Sequence, residues 1–565
     1  MKEELVFETI GDFLLRRLRD IGISHVFGVA GDFNLEFLEQ LAETPGMCWV
    51  GCCNELNAAY AADGYARTRG LAALVTTYGV GELSALCGVA GAFAEHVPVV
   101  SITGAPPLAD IERHALLHHT AGDGDYQNML ACAAQFSTAH ARLSPQNAVT
   151  EIDRCLTACV REKRPVYLQL PSDVAGVRVQ VPTEPLVIDF VSGRDALDRF
   201  AILSREALER SSAVVLLIDG DVARYGLADH VIRLADRLDC GIAVMGTAKG
   251  VIDEDHGRYL GTYTGAYSQP EVREAVEAAD CLIKVAVRLA DSTTGSFSQK
   301  LHNRSTIELE AWRARVKGED VYGLFLGDAL DRLSRTCASR APFSKVGASQ
   351  KDSQQPSPSD GSVAQNWFWR RIGEFLRRGD VVAAENGTSL SGMLGVRLPA
   401  NVTFLAQTLW GAIGYTLPAT FGSLIGAPNR RHLLFIGDGS FQLTAQELSS
   451  ILRHRLKPII FLLNNDGYTI ERLILGEKRS YNDIQPWHYA ELGKVFAGDA
   501  AYTSHRVATQ SELEFALQHA EQSDSCCFIE VVMERMDAPA SLRSLGPVYA
   551  QQDYGAEYVA EVSRQ

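Results

Sequence analysis

Short apolar runs alternate with amphipathic stretches along most of the chain, a pattern that specifies layered parallel α/β structure. Runs at His25–Val29, Ala73–Thr77, Val97–Ile102, Val214–Ile218, Cys281–Val287, Leu433–Ile436 and Ile459–Leu463 predict buried strands. Ile10, Leu14, Leu18 and Ile21 recur at helical spacing between charges, so the start of the chain reads as an amphipathic helix and not as a signal peptide. Val177–Val181 leads into Pro182 and Pro185, which marks one boundary. A stretch rich in Ser, Gln and Pro at 339–362 lacks periodicity and predicts a flexible linker. The expected fold class is therefore α/β, with three domains of parallel sheet flanked by helices. Their expected limits are 1–182, 190–338 and 363–565.

The outer thirds follow one plan. Ala73–Thr77 is followed by a turn with Gly79 and Gly81, a helical stretch, and then "EHVPVVSITG". Leu433–Ile436 is followed by Gly437 and Gly439, a helical stretch, and "RLKPIIFLLNN". A duplicated domain and independent convergence on the same α/β grammar both account for this.

Composition narrows the class of function. A chain of 565 residues exceeds the roughly 250–300 that one core supports. Its 46% hydrophobic and 22% charged content is that of an ordinary globular protein. A formal net charge of −16 disfavours nucleic acid and anionic membrane as partners. No apolar run reaches the roughly 18 residues of a membrane span, and the expected location is cytoplasmic. The twelve cysteines form no CxxC pair and assemble no four-ligand zinc pattern, so nearly all of them read as small buried hydrophobes.

The segment "FIGDGSFQLTAQELSSILRHRLKPIIFLLNNDGYTIE" carries the chemistry. A strand ends at Ile436 and Gly-Asp-Gly follows. Thr444 and Glu447 then form a capping-box pattern for a helix with Ala445, Leu448, Ile451 and Leu452 on one face. A second strand ends at Asn464-Asn465, with Gly467 just beyond. Parallel strands finish at one edge, where open α/β sheets hold ligands, so Asp438 and Asn465 should converge. A carboxylate, an amide oxygen and a free carbonyl suit Mg²⁺, which keeps places for diphosphate oxygens. The glycines and the helix start would bring N–H donors to those phosphates. "AGDGD" at 121–125 repeats the GDG but lacks the strand before it and the Asn pair after it.

Strand, GDG, helix, strand and NN together resemble the thiamin diphosphate fingerprint. That resemblance implies that Asp438, Asn465 and the Gly467 carbonyl ligate Mg²⁺. It implies cofactor contacts from Thr388, Gly411, Ile413, Gly439, Ser440, Tyr468 and Thr469. "FGVAGDFNLEFL", "CCNELNAAYAADGYAR", "LLHHT", "GYTIE", "QTLWGAIGYTLPA" and "YNDIQPW" extend it to the pyruvate and indolepyruvate decarboxylase family, closest to the indolepyruvate and branched-chain 2-oxo acid branch. The implied reaction turns a 2-oxo acid into an aldehyde and CO₂ by way of a ylide and an enamine. The first domain would bind the aminopyrimidine, with Glu55 at its N1′. The last would bind diphosphate and metal, with the Gly411 carbonyl at the 4′-amino group and Ile413 wedged between the rings. Asp32, His118, His119 and Glu471 match the family's acid–base cluster, where neighbouring carboxylates and imidazoles can hold protons near neutral pH.

Within "ENGTSLSGML" the resemblance places Asn386, Leu390 and Ser391 at the substrate pocket, with Ser292, Ile470, Ile474 and Leu542 as further lining residues. Pyruvate-specific relatives tend to carry two bulky aromatics where Leu390 and Ser391 stand, which points to substrates larger than pyruvate. Ile470 acts in the opposite sense, and Asn386 stands where the broader branch often has Gln. The competing readings are a pyruvate-specific decarboxylase, a carboligating acetolactate synthase-like enzyme, and a catalytically silent cofactor-bound protein. The resemblance also implies a homodimer or dimer of dimers (a homotetramer) in which Glu55 and the 437–471 segment meet across a subunit boundary.

Overall fold

In a computed structural model, which describes residues 5–303, 305–336, 360–555 and 557, the apolar runs fold as the cores of three sheets. The expected linker at 339–362 lies outside the described residues except for 360–362. β1 (Leu5–Thr9) precedes the first sheet, which contains β2 (His25–Gly28), β3 (Cys48–Gly51), β4 (Ala72–Thr77), β5 (Val99–Ala105), β6 (His140–Arg142) and β7 (Val166–Pro171). β8 (Arg178–Pro182) returns antiparallel to β1. Val177–Val181, which reads in sequence as a boundary, is thus largely a paired strand.

The central sheet holds β9 (Val214–Ile218), β10 (Gly241–Val244), β11 (Tyr259–Thr262), β12 (Cys281–Val285), β13 (Ser305–Glu310), β14 (Arg313–Val316) and β15 (Glu319–Tyr322). β13, β14 and β15 meander antiparallel at one edge, a departure from the all-parallel expectation. The third sheet holds β16 (Val381–Ala384), β17 (Thr403–Leu405), β18 (His432–Gly437), β19 (Ile459–Asn464), β20 (Tyr502–Val507) and β21 (Cys526–Val532).

The first sheet runs β3-β2-β4-β5-β7-β6 and the third runs β17-β16-β18-β19-β21-β20. Both are wholly parallel, and their strand orders are the same when counted from the first strand of each. β4, followed by a turn at Tyr78 and Gly79, and β18, followed directly by the helix Asp438–Thr444, therefore hold equivalent places. β5 starts at Val99 and not at Val97, because the Val97 N–H bonds to Ala92 O at the end of the preceding helix and Pro98 has no N–H to give. No helix among the described residues is long and apolar enough to cross a membrane.

Packing divides the chain into two units. The first comprises Met1–Asp189, Gly414–Asn429 and Thr444–Leu456, and the second comprises Phe190–Ile413, Arg430–Leu443 and Lys457–Gln565. In the first unit the helix Glu55–Arg69 is buried on every side from Asn57 to Ala66. Its small residues let the helix Thr416–Gly426 approach backbone to backbone. A Cβ on Gly64 would lie 2.0 Å from Ala419 O, and one on Gly422 would lie 1.8 Å from Ala61 O. Within this contact Arg67 Nε donates to Asp63 Oδ1 at 2.6 Å, and the Tyr415 hydroxyl donates to the same oxygen at 2.5 Å. Asp63 and Tyr415 are fully buried. Removing Asp63 would take the closer carboxylate from the buried Arg67, which also has Glu95 at 4.0 Å. Asp63→Ala is expected to cost about 3–5 kcal/mol, and Tyr415→Phe only about 1–2 kcal/mol. Urea unfolding of the two variants beside the parent protein would test that order.

Candidate active site

In the first unit β2 ends at Gly28, and Asp32 opens the short helix Asp32–Asn34 that follows. His118 Nε2 lies 2.5 Å from Asp32 Oδ2, and His119 Nδ1 lies 3.8 Å from Asp32 Oδ1. Phe33 stacks on the His118 ring with centroids 5.0 Å apart, and the two imidazoles meet edge to face at 4.6 Å. The Asp32 carboxylate and both imidazoles are thus close enough to pass a proton or to hold a cation, their ligating atoms all lying within 4.8 Å of one another.

Glu55 is the first residue of the helix Glu55–Arg69, and the Asn54 side chain caps that helix by accepting from Asn57 N at 2.8 Å. The turn after β4 approaches both groups. A Cβ on Gly81 would sit 3.4 Å from Glu55 Oε1, and one on Gly79 would sit 1.9 Å from the His119 carbonyl oxygen. Glu82 holds that turn. One carboxylate oxygen accepts from Gly79 N at 2.8 Å and the other from the Tyr167 hydroxyl at 2.6 Å. Burial pushes the Glu82 carboxyl up to about 7 despite those donors and the nearby Arg142 charge.

In the second unit β18 and β19 pair in parallel with Gly437 opposite Leu463, so both strands deliver their following residues to one edge. Asp438 Oδ1 accepts from Gly439 N at 2.8 Å and Oδ2 accepts from Gly467 N at 3.1 Å. With its amide oriented to satisfy its neighbours, Asn465 donates to the Gly467 carbonyl at 3.1 Å and to Asp438 Oδ1 at 3.3 Å, and accepts from Thr469 Oγ1 at 2.9 Å. Carboxylate, amide and carbonyl thus lie within contact of one another, and turning the amide oxygen inward completes an all-oxygen donor set of the kind Mg²⁺ takes. Burial raises the Asp438 carboxyl to about 6, a cost that a bound cation would relieve. The residues present fit the metal and a diphosphate.

Around this edge, Ser440 and Thr388 are buried in the first turns of their helices, and Tyr468 and Thr469 open the helix Thr469–Ile474. Glu471, in the first turn of that helix, has solvent access but is crowded enough that desolvation, and then the charge of Asp553, raise its carboxyl. Gly411 adopts a φ of 69°, and Ile413 is half-buried in the same turn. Asn386 Nδ2 donates to the Gln407 carbonyl at 3.1 Å. Ile470 reaches toward Gly387, and its Cγ2 would be 3.9 Å from a Cβ there. Leu390 packs on the core of the third sheet, Ser391 Oγ lies 2.7 Å from Ser541 Oγ, and Leu542 is buried. Ile474 is half-buried, while Ser292 is exposed with its N–H bonded to Asp291 Oδ1.

Several supporting residues escape the sequence reading. Gln407 is buried and accepts from Ala412 N at 3.1 Å, bracing the turn that carries Gly411. Arg472 is buried and its Nη2 donates to Asp466 O at 2.6 Å, Asn482 O at 3.0 Å and Asp483 Oδ1 at 2.9 Å, holding the loop that carries Gly467. The capping box expected of Thr444 and Glu447 is absent. The Thr444 hydroxyl donates to Gly414 O at 2.7 Å, and Glu447 instead opens its own helix, Glu447–Arg453, with its carboxylate turned to Cys53 and Asn57. Two long-range partners outcompete the local cap because both sites are buried and leave no water to satisfy those partners.

The Glu82 shift has a sign that can be measured. Its folded carboxyl near 7 holds a proton that the unfolded chain, near 4.5, has released, so this group's contribution is largest below about pH 4.5 and is lost as pH rises toward 7. Glu82→Gln lacks that titration. Relative to the parent protein, the variant should gain roughly 2–3 kcal/mol between about pH 5 and about pH 8, read from thermal or urea unfolding at the two values.

Models of the thiamine pyrophosphate enzymes match three stretches: the N-terminal TPP binding domain over residues 8–128, the central domain over 204–322 and the C-terminal TPP binding domain over 388–531. The chain is 39% identical over 550 residues to pyruvate decarboxylase isozyme 1 of Saccharomyces cerevisiae, covering 94% of this chain and 97% of that protein. It is 40% identical over 551 residues to an alpha-keto-acid decarboxylase of Mycolicibacterium paratuberculosis, covering 95% and 96%. An X-ray structure described as a thiamin diphosphate-dependent enzyme isolated from Mycobacterium smegmatis shares the fold, with a TM-score of 0.75 at 19% identity over 94% of this chain and 100% of that one. Full-length identity to two such enzymes, together with the three matched domains, places this chain in the family of thiamin diphosphate-dependent 2-oxo acid decarboxylases.

Proposed function

We propose that this enzyme decarboxylates 2-oxo acids larger than pyruvate, aliphatic or aryl, to aldehydes, with thiamin diphosphate held through Mg²⁺. The observation that carries the substrate preference is the pair Leu390 and Ser391. Leu390, half-buried, packs against the core of the third sheet, and the Ser391 hydroxyl pairs with that of Ser541, so neither supplies aromatic bulk. A pyruvate-specific reading draws support from Ile470, whose β-branched side chain lies close to Gly387.

When bound, the cofactor supplies a nucleophilic carbon and an electron sink for the pair released as CO₂ departs. The chain supplies position and protons. Asp438, Asn465 and the Gly467 carbonyl would hold the metal, and Gly439, Ser440, Thr388, Tyr468 and Thr469 would line the diphosphate. Gly411 and Ile413 would fix the bend between the rings, and Glu55 would hydrogen-bond the aminopyrimidine. The His118–Asp32 pair, with His119 and Glu471, would deliver a proton to the product carbon. The smallest active assembly would be a homodimer, with a dimer of dimers as the fuller form, because Glu55 would serve a cofactor held by the 437–471 segment of a second copy. Its expected location is cytoplasmic.

Asp438→Ala should abolish Mg²⁺-dependent retention of thiamin diphosphate, measured by calorimetry on the apoenzyme, while leaving the fold intact by circular dichroism. Aldehyde formation from a panel of 2-oxo acids tests the preference: kcat/KM should favour 4-methyl-2-oxopentanoate and phenylpyruvate over pyruvate, and a clear advantage for pyruvate would sink the proposal. Ser391→Phe should lower the ratio of larger substrate to pyruvate by about 10–200-fold, the discrimination worth about 1–3 kcal/mol that a filled pocket gives.

A further inference from the structure

Glu447 is a fully buried carboxylate whose charge has no role in the site described above. The groups that bond it belong to the first unit. Glu447 Oε2 accepts from Cys53 N at 3.3 Å and from Asn57 Nδ2 at 2.8 Å. Those contacts fall on either side of Glu55 in sequence, one in the loop after β3 and one in the first turn of the helix that Glu55 opens. The same helix start as Glu447 grips the loop a second time: the Cys53 thiol lies 3.2 Å from Gln446 O, 3.3 Å from Ser449 Oγ and 3.5 Å from Ser450 Oγ.

We infer that Glu447 is a positioning residue for Glu55, holding the Cys53 backbone before it and the Asn57 side chain after it so that its carboxylate is presented to the aminopyrimidine. The inference rests on the proposed role of Glu55. Asn57 is fully buried with its side-chain nitrogen directed to Glu447. Burial raises the Glu447 carboxyl, while bonds from Ser450, Asn57, Cys53 N and Cys52 oppose the rise, so the charged form depends on the loop that it holds. The dependence is mutual: burial and the Glu447 charge together raise the Cys52 thiol well above its usual range, keeping it a neutral donor. A displacement of about 1 Å at a reacting group can cost about a hundredfold in rate, so a tether on both sides of Glu55 is worth more than the bonds themselves.

The variants Glu447→Gln and Glu447→Ala separate geometry from charge. Glutamine keeps an oxygen that can accept from Cys53 N and Asn57, whereas alanine removes both tethers. With Glu447→Ala, amide hydrogen exchange of cofactor-free protein should rise at least tenfold in a peptide covering 52–58 and stay unchanged in one covering Ala72–Thr77. In the holoenzyme kcat should fall about 10–100-fold with KM for the 2-oxo acid within twofold, and Glu447→Gln should recover most of that loss. Exchange that rises equally in both peptides, a kcat for Glu447→Ala within twofold of the parent, or equal damage in the two variants would each overturn the inference. If Glu447→Ala fails to fold, Asn57→Ala removes one tether alone and must show the same local exchange and kcat pattern in smaller measure. If the parent enzyme forms no aldehyde from any 2-oxo acid, the decarboxylase proposal fails separately, and exchange in the apoprotein still decides whether Glu447 tethers the loop.

Discussion

The parallel pairing of β18 with β19 is the constraint on which the second unit's chemistry depends. Parallel strands end at one edge, and the residue that follows each is delivered there whatever its neighbours in sequence. The register that sets Gly437 opposite Leu463 brings Asp438 to Asn465 and lets both reach the Gly467 peptide. The remainder of that edge serves the same convergence: Arg472 holds the loop beyond it, and Gln407 holds the turn that carries Gly411. A slip of one residue would turn each side chain to the opposite face of the sheet and scatter these groups.

Acids at helix starts form a second common element. Glu55, Glu82, Asp438, Glu447 and Glu471 each stand in the first turn of a helix, where unpaired N–H groups and the helix dipole favour negative charge. An acidic protein can bury carboxylates at such places because the backbone supplies part of the compensation that water would have given. They differ in what they do with their remaining valence. Glu82 spends it on its own turn and on Tyr167, and Asp438 on two glycine amides. Glu447 spends it on a segment far away in sequence.

That difference also explains what could be read from the chain. Strands β4, β9, β18 and β19 were legible because both of their faces are buried and their apolar runs are continuous. The Asp438–Asn465 convergence was legible because topology alone enforces it. The contacts of Glu447, Gln407 and Arg472 were not, since each depends on which distant peptide group lies in reach, and local patterns offer a misleading alternative. Thr444 with Glu447 spells a capping box, yet buried partners claim both side chains. The antiparallel edge of the central sheet was missed for a related reason: β14 and β15 each have only four residues, too few to show a period against the background of turns.

The helix Thr416–Gly426 belongs by sequence to the last third of the chain and by packing to the unit built around the first sheet. Its backbone contact with the helix Glu55–Arg69 has no room for a single added methyl group at Gly64 or Gly422. Segments that look like separable modules along the chain are therefore not separable as objects. Recombination between relatives at the borders of the three thirds would have to carry matching versions of both helices, and an isolated C-terminal third would leave an apolar helix face without the partner that shaped it. Inheritance of this fold is consequently tied to the whole length of the chain, which accords with the near-complete coverage of its relatives.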